Sequence, residues 1–280
     1  MTNPIADPLV ESVGSDADSP LARIDATQQG VATVWINRPE RDNALDPLTI
    51  AALREIFETL QGAEGVRIVF LRGAGGVFST GGDLSWAREA ADLPPDDDRA
   101  DSLDMAKMLK ALWDLPALTV ALVEGRAFGG GAGLVAACDM AVALSAAEFA
   151  FPEVAAGLLP AVVSPYVVAA IGPRAARSLF VTGRTFTAEH AAAVGLVDEI
   201  VADTAALEAA QVRLAGEMLA VAPGAAAAAK GLVADTWGRP IDHDLMRHTA
   251  RLGAQARESD EGREGVAARL QGRKPNWAGS

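Results

Sequence analysis

Six residues constrain this chain more than any others: Phe128-Gly129-Gly130-Gly131-Ala132-Gly133. The apolar run Ala117 to Val123 before them has the length and β-branching of a buried strand, and Leu134 to Ala137 after them reads as helix. The glycines therefore occupy a strand-to-helix turn. Backbone N–H groups at a helix start lack an intrahelical acceptor and lie at the positive end of the helix dipole, so glycine there lets a negatively charged atom approach closely. An oxyanion or a phosphate suits such a turn. The alternative is a turn that needs positive φ and tight strand-helix packing and nothing more. About twenty residues on, Phe151-Pro152-Glu153 supplies a lone carboxylate in an apolar setting, the pairing expected of an anion site facing one acid or base.

The rest of the chain fixes the setting. Half of the 280 residues are hydrophobic, enough for one full core, which we place at 21–202, with a helical region at 203–280. The first 20 residues, rich in Asp, Ser and Pro, have neither the basic start nor the apolar core of a signal peptide and read as a disordered tail. A single cysteine, Cys138, falls in an apolar helix, which excludes a disulfide framework and points to a reducing compartment, the cytoplasm. The longest apolar stretch, 149–171, is interrupted by Glu153 and by Pro152, Pro160 and Pro165 and so is core rather than a membrane span. A net charge of −13 argues against nucleic acid as a partner. His190, His243 and His248 fit no metal spacing, and Walker A, G-x-S-x-G and paired C-x-x-C patterns are missing, so neither a metal nor a cofactor is expected.

Short strands alternate with helices through the core, the pattern of an α/β fold. Strands are expected over 22–27 and 30–36, a helix over 47–60, a strand over 66–71, and a second glycine junction at Thr80-Gly81-Gly82-Asp83-Leu84. Residues 85–100, with the run Pro94-Pro95-Asp96-Asp97-Asp98, read as a surface loop leading to a helix that ends at Trp113. Further strands are expected at 140–144 and 148–151. Beyond residue 203, helices are expected over 207–219, 223–236, 242–256 and 261–271, with apolar faces that need either the core or another subunit to cover them.

Taken in order, Asn37-Arg38-Pro39-Glu40-Arg41-Asp42-Asn43-Ala44-Leu45, Phe78-Ser79-Thr80-Gly81-Gly82-Asp83-Leu84, the Gly129 to Gly131 turn and Phe151-Pro152-Glu153 resemble the crotonase, or enoyl-CoA hydratase/isomerase, superfamily. The resemblance spans roughly residues 22 to 277 and continues through Val194-Gly195-Leu196-Val197-Asp198 and Arg273-Lys274-Pro275-Asn276-Trp277. It implies a spiral of β-β-α units with a helical C-terminal region that builds a homotrimer or a dimer of trimers. It also implies an acyl-CoA thioester substrate, coenzyme A being part of the substrate rather than a cofactor. By position, the thioester oxygen would sit between the N–H groups of Gly82 and Gly130, and Glu153 would move the proton. Such chemistry passes through a thioester enolate, and each oxyanion donor supplies on the order of 3 kcal/mol of transition-state stabilisation. For coenzyme A, the resemblance points to the 38–45 segment, with Arg41 and Ala44, and to Lys274. Asp83, Leu84 and Pro152, at or beside the motif positions, are also expected to contact the substrate, and Asp83 orders its turn by accepting backbone hydrogen bonds.

One departure bears on the reaction. Hydratases of the superfamily commonly carry a second glutamate three residues after the middle glycine, where this chain has Gly133. Isomerases with a single glutamate need only one base and an oxyanion hole. The segment from Gly157 to Val168 nevertheless resembles bacterial methylglutaconyl-CoA-type hydratases, with Tyr166 expected to serve in packing and, as the alternative, to line the acyl pocket. Glu89 and Asp92 are candidates to replace the missing carboxylate, and Arg269 stands where relatives often have an aromatic residue. Hydration of a 2-enoyl-CoA is therefore the first expectation and isomerisation of an enoyl-CoA the second. A CoA-thioester binder without catalysis stands third, with RNA binding last.

Overall fold

The computed structural model describes residues 20–83, 85–86, 88 and 94–278 and the backbone of 8–11. Strands β1 (Pro8–Glu11), β2 (Ala22–Thr27), β3 (Val31–Ile36), β4 (Ile68–Gly73), β5 (Leu118–Val123), β7 (Met140–Leu144) and β10 (Glu199–Val201) form one sheet in the order β1-β2-β3-β4-β5-β7-β10. The hairpin partners β1, β2 and β3 are antiparallel, and every pairing from β3 onward is parallel. A smaller sheet is built from β6 (Arg126–Phe128), β8 (Glu148–Ala150) and β9 (Phe186–Thr187). Successive turns of the chain lay one strand in the large sheet and the next in the small one: β5 then β6, β7 then β8. The result is an α/β spiral of the kind that the resemblance implies.

Within the expected tail, Pro8–Glu11 instead adds an edge strand to β2, whose outer backbone groups would otherwise lack a ladder partner. The rest of 1–19 lies outside the described residues.

Strand side chains alternate between two cores, as the two-residue period demands. Ala32, Val34 and Ile36 of β3, Val69 and Leu71 of β4, and Ala121 and Val123 of β5 face helices α1 (Pro47–Gly62) and α2 (Pro95–Trp113). The odd-even partners Val31, Ile68, Phe70, Val120, Leu122 and Val142 face Leu207, Ala210 and Leu214 of a C-terminal helix. In α1, Leu53, Ile56, Phe57 and Leu60 recur at helical spacing and are buried, each contributing about 1.5–3 kcal/mol. Asp46 starts α1 by accepting from Thr49 N at 2.8 Å.

The acid run expected as loop is the first turn of α2, with Pro95 in its opening turn. The Asp96 carboxylate there meets the positive end of the helix dipole. Cys138 is also displaced: it caps α3 (Gly130–Ala137) rather than lying within it, and burial pushes its thiol pKa up. The apolar stretch 149–171 divides between β8, a 3-10 turn at Pro152–Ala156 and α4 (Ser164–Thr182). Among the described residues no single helix is long and apolar enough to cross a membrane.

After α5 (Ala188–Val194), the C-terminal region comprises α6 (Thr204–Leu219), α7 (Pro223–Thr236), α8 (His243–Glu258) and α9 (Asp260–Gln271). α6 covers the large sheet, whereas α7 has no fully buried residue and α8 only Leu245. The chain end folds back: Arg273 grips Glu264 at 2.6 and 2.7 Å, and Trp277 Nε1 donates to Ala220 O at 3.2 Å.

Candidate active site

The small sheet explains why three residues distant in sequence meet. Ser79 bridges Ala127 in parallel, and Phe128 of β6 pairs with Ala150 of β8, also in parallel. Chain segments leaving the C-terminal ends of adjacent parallel strands emerge side by side, which is where sites form in such sheets. Gly82 follows Ser79 by three residues, Gly130 follows Phe128 by two, and Glu153 follows Ala150 by three. All three line one cavity of about 310 Å³, whose apolar wall includes Leu45, Ile50, Met105, Val162 and Val163.

Both expected donors are free of the backbone ladder among the described residues. Leu45 bridges Gly82 by donating to Gly81 O at 2.7 Å and accepting from Asp83 N at 3.0 Å. These bonds use the residues on either side of Gly82, so its own N–H faces away from Leu45. Gly130 opens α3, a position whose N–H has no intrahelical acceptor, and the helix dipole adds positive potential there. The two turns nearly touch: a Cβ on Gly81, whose φ is +83°, would lie 2.5 Å from Phe128 O and 3.0 Å from Gly130 N. Only glycine permits that approach.

Glu153 sits on the 3-10 turn, half-buried, with Oε2 buried and without a hydrogen-bond partner among the described residues. Oε1 lies against the Gly129 backbone, 3.0 Å from where a Cβ would stand. Burial raises the Glu153 pKa above the ordinary 4.5, opposed only by its own backbone hydrogen bond. Behind it, Phe151 packs edge-on against Phe180 at 5.1 Å and keeps that side dry.

At Gly133 the second carboxylate is excluded sterically. A Cβ there would fall 2.2 Å from Val163 Cγ1 and 2.7 Å from Val163 Cβ. Val163, buried and lining the cavity, fills the space in which a longer side chain would begin.

The remaining sequence candidates separate. Asp83 is buried and accepts from Ser85 N at 2.8 Å and Trp86 N at 3.4 Å. Its carboxyl is held below its ordinary pKa despite burial, because these bonds and the Arg38 guanidinium outweigh desolvation. Pro152 leads into Glu153, and Ala44 is buried beside Leu45. Arg41 ends an exposed 3-10 turn and Lys274 is exposed near the chain end, both outside the cavity lining. Tyr166 packs edge-on against Trp113 at 5.4 Å and is likewise outside that lining. Leu84, Glu89 and Asp92 lie outside the described residues. Among the described residues no group of three or more His, Cys, Asp or Glu side chains could hold a metal ion.

Sequence reasoning gave Arg38 and Asn43 only as part of the coenzyme A segment and gave Ser79 no role of its own. Asn43 is fully buried at φ 55° and its amide donates to Ala74 O at 2.8 Å and Val77 O at 2.5 Å. Ser79 Oγ donates to Asn43 O at 2.8 Å and accepts from Gly81 N at 3.2 Å. A buried asparagine and serine inside the two recognised motifs were the available signal.

The profile of the enoyl-CoA hydratase/isomerase family matches residues 26–280. The chain belongs to this family. A Thermus thermophilus relative, provisionally named an enoyl-CoA hydratase, is 36% identical over 247 residues, covering 88% of this chain and 97% of its own. Among solved structures, an enoyl-CoA hydratase from Shewanella pealeana superposes with a TM-score of 0.87 at 34% identity, over 91% of this chain and 95% of its own. AtuE of Pseudomonas aeruginosa gives 0.87 at 33% identity, over 97% and 99%. Family members act on acyl-CoA thioesters, and the crotonase resemblance holds for the whole fold.

Proposed function

We propose that the chain hydrates a 2-enoyl-CoA, with Gly82 and Gly130 holding the thioester oxygen and Glu153 as the sole proton carrier. The observation that supports this most is the convergence on one cavity of two backbone donors and a carboxylate oxygen that are without partners among the described residues. Ionised Glu153 takes a proton from water as the water oxygen bonds to C3. The C2–C3 π electrons move into the enolate, whose oxyanion the two N–H groups stabilise. Neutral Glu153 then returns the proton to C2, so one water is added in balance. The raised pKa of Glu153 makes the carboxylate a stronger base for the first half and moves the group toward neutral pH, where one residue can both take and return a proton. No further cofactor enters, coenzyme A arriving with the substrate.

Isomerisation is the second reading, favoured by the aliphatic Val163 that fills the place of a second carboxylate. The same three groups would take a proton from one carbon of an enoyl chain and return it two carbons along. Purified protein incubated with crotonyl-CoA, a 3-methylglutaconyl-type thioester and a 3-enoyl-CoA, followed by mass and chromatography, decides. A product heavier by one water supports hydration, and an isobaric shifted alkene supports isomerisation. Neither product with any of the three thioesters would overturn both.

Trimers or dimers of trimers, in the cytoplasm, complete the reading. Leu232, Val233, Trp237, Ile241 and Met246 of the C-terminal region are exposed in one chain and would be covered by neighbouring subunits. Arg41 and Lys274 are retained as coenzyme A contacts, since each is exposed and cationic.

A further inference from the structure

We propose that Arg38 is a positioning residue for the first oxyanion donor, tying together both segments of the Leu45–Gly82 bridge through one guanidinium; this role rests on the thioester reading above. The bridge fixes where the Gly82 N–H points, and the residues beside it converge on Arg38. On one side, Arg38 Nη1 donates to Ala44 O at 3.0 Å and Nη2 lies 3.3 Å from an Asp46 carboxylate oxygen. On the other, Nη1 lies 2.9 Å from Asp83 Oδ2. Ala44 and Asp46 flank Leu45, and Asp83 follows Gly82. Thus Ala44 and Asp46 on one side of the bridge and Asp83 on the other are tied together through this one planar group.

The arrangement is built rather than incidental. The Arg38 side chain is 13% exposed and that of Asp83 8%. Each carboxylate uses its other oxygen to fix the backbone that follows: Asp46 Oδ1 caps α1 through Thr49 N at 2.8 Å, and Asp83 Oδ1 accepts from Ser85 N at 2.8 Å. Arg38 is anchored in turn, its N donating to Asn43 Oδ1 at 2.8 Å and its O accepting from Asn43 N at 2.9 Å. Charge-assisted bonds from a rigid guanidinium fork hold direction better than neutral ones, and lysine, a single point charge, cannot span three acceptors. A donor displaced by 1 Å from the oxyanion loses about 10²-fold in rate. Arg38 touches no reacting atom, so its influence runs wholly through Gly82.

The test uses the full-length protein as wild type, Arg38→Met, Arg38→Lys and Asp83→Asn. Two quantities are read: steady-state kcat and KM, and the absorbance shift of bound cinnamoyl-CoA, whose conjugated carbonyl responds to hydrogen-bond polarisation. The expected result is a kcat lowered about 10- to 100-fold in Arg38→Met, with KM changed little and the absorbance shift reduced. Arg38→Lys should recover only part of both. Asp83→Asn keeps the shape of the tie and loses its charge, so it should fall between wild type and Arg38→Met, and it decides the matter with Arg38→Lys if Arg38→Met does not fold. Wild-type kcat and absorbance shift in folded Arg38 variants would overturn the role. A raised KM with unchanged kcat and shift would also overturn it, by making Arg38 a coenzyme A contact. A wild-type protein that binds the ester without shift and turns over no thioester would instead bring down the thioester reading itself.

Discussion

Gly133 and Val163 offer the sharpest test of the site's construction. A methyl at Gly133 would stand 2.2 Å from Val163 Cγ1 and 2.7 Å from its Cβ, both well inside contact distance and against a branched side chain held at the start of α4. Such overpacking costs about 1–3 kcal/mol, while alanine in a helix regains about 1 kcal/mol over glycine. Removing the Val163 side chain relieves the clash but forfeits three buried carbons at about 0.8 kcal/mol each, roughly 2.4 kcal/mol. Gly133→Ala should therefore be worse by about 1–3 kcal/mol in the wild-type background than in Val163→Gly. At about 2–4 °C per kcal/mol, thermal melts of the four proteins in the cycle resolve that difference. Equal effects of Gly133→Ala in the two backgrounds, within about 0.5 kcal/mol, would refute the steric account of the missing carboxylate. The same cycle carries function: Gly133→Glu together with Val163→Gly should raise the ratio of hydrated to isomerised product above that of wild type.

Other expectations follow from the same geometry. Glu153→Gln should lower kcat about 10²- to 10⁴-fold. Because Glu153 must start ionised, kcat/KM for hydration should rise with pH through a value above the ordinary 4.5. Stability runs the other way. The folded chain keeps the Glu153 proton to higher pH than the unfolded chain does, so this contribution is full below 4.5 and is lost as pH rises through the raised value. Melts across pH should accordingly show Glu153→Gln gaining on wild type as pH climbs through that window, and a constant difference would contradict the burial. At Gly82, where a Cβ meets nothing within 4 Å, alanine should leave kcat within a few-fold, whereas Gly82→Pro, lacking the N–H, should lower it about 10²- to 10³-fold. Trp237→Glu, at an exposed apolar position of the C-terminal region, should shift sedimentation toward smaller species with the far-ultraviolet circular dichroism unchanged.

What could be read beforehand followed from local physics. The apolar strands 118–123 and 140–144 and the helix 47–62 announce themselves because their burial pattern is written at consecutive or helical spacing. The glycine turn likewise carries its own reason, since an unpaired helix-start N–H and the lack of a Cβ are properties of the turn itself. Pro94-Pro95 misled for a local reason too: proline breaks a helix that precedes it and favours one that begins with it, and only packing against α1 determines which of these applies to α2.

The rest depends on register. Gly82, Gly130 and Glu153 are unrelated in spacing until β6 and β8 pair in parallel with Ser79 alongside, and that pairing is a property of the sheet, not of any segment. Gly133 shows the same limit more sharply. Its sequence shows only the absence of a side chain, whereas the structure shows a valine thirty positions away filling the space one would need. A glutamate at 133 alone would therefore meet a filled space rather than regain a function. The space open at this position is set jointly by the glycine and the valine, so the double substitution, and not either single one, tests whether a carboxylate at 133 favours hydration.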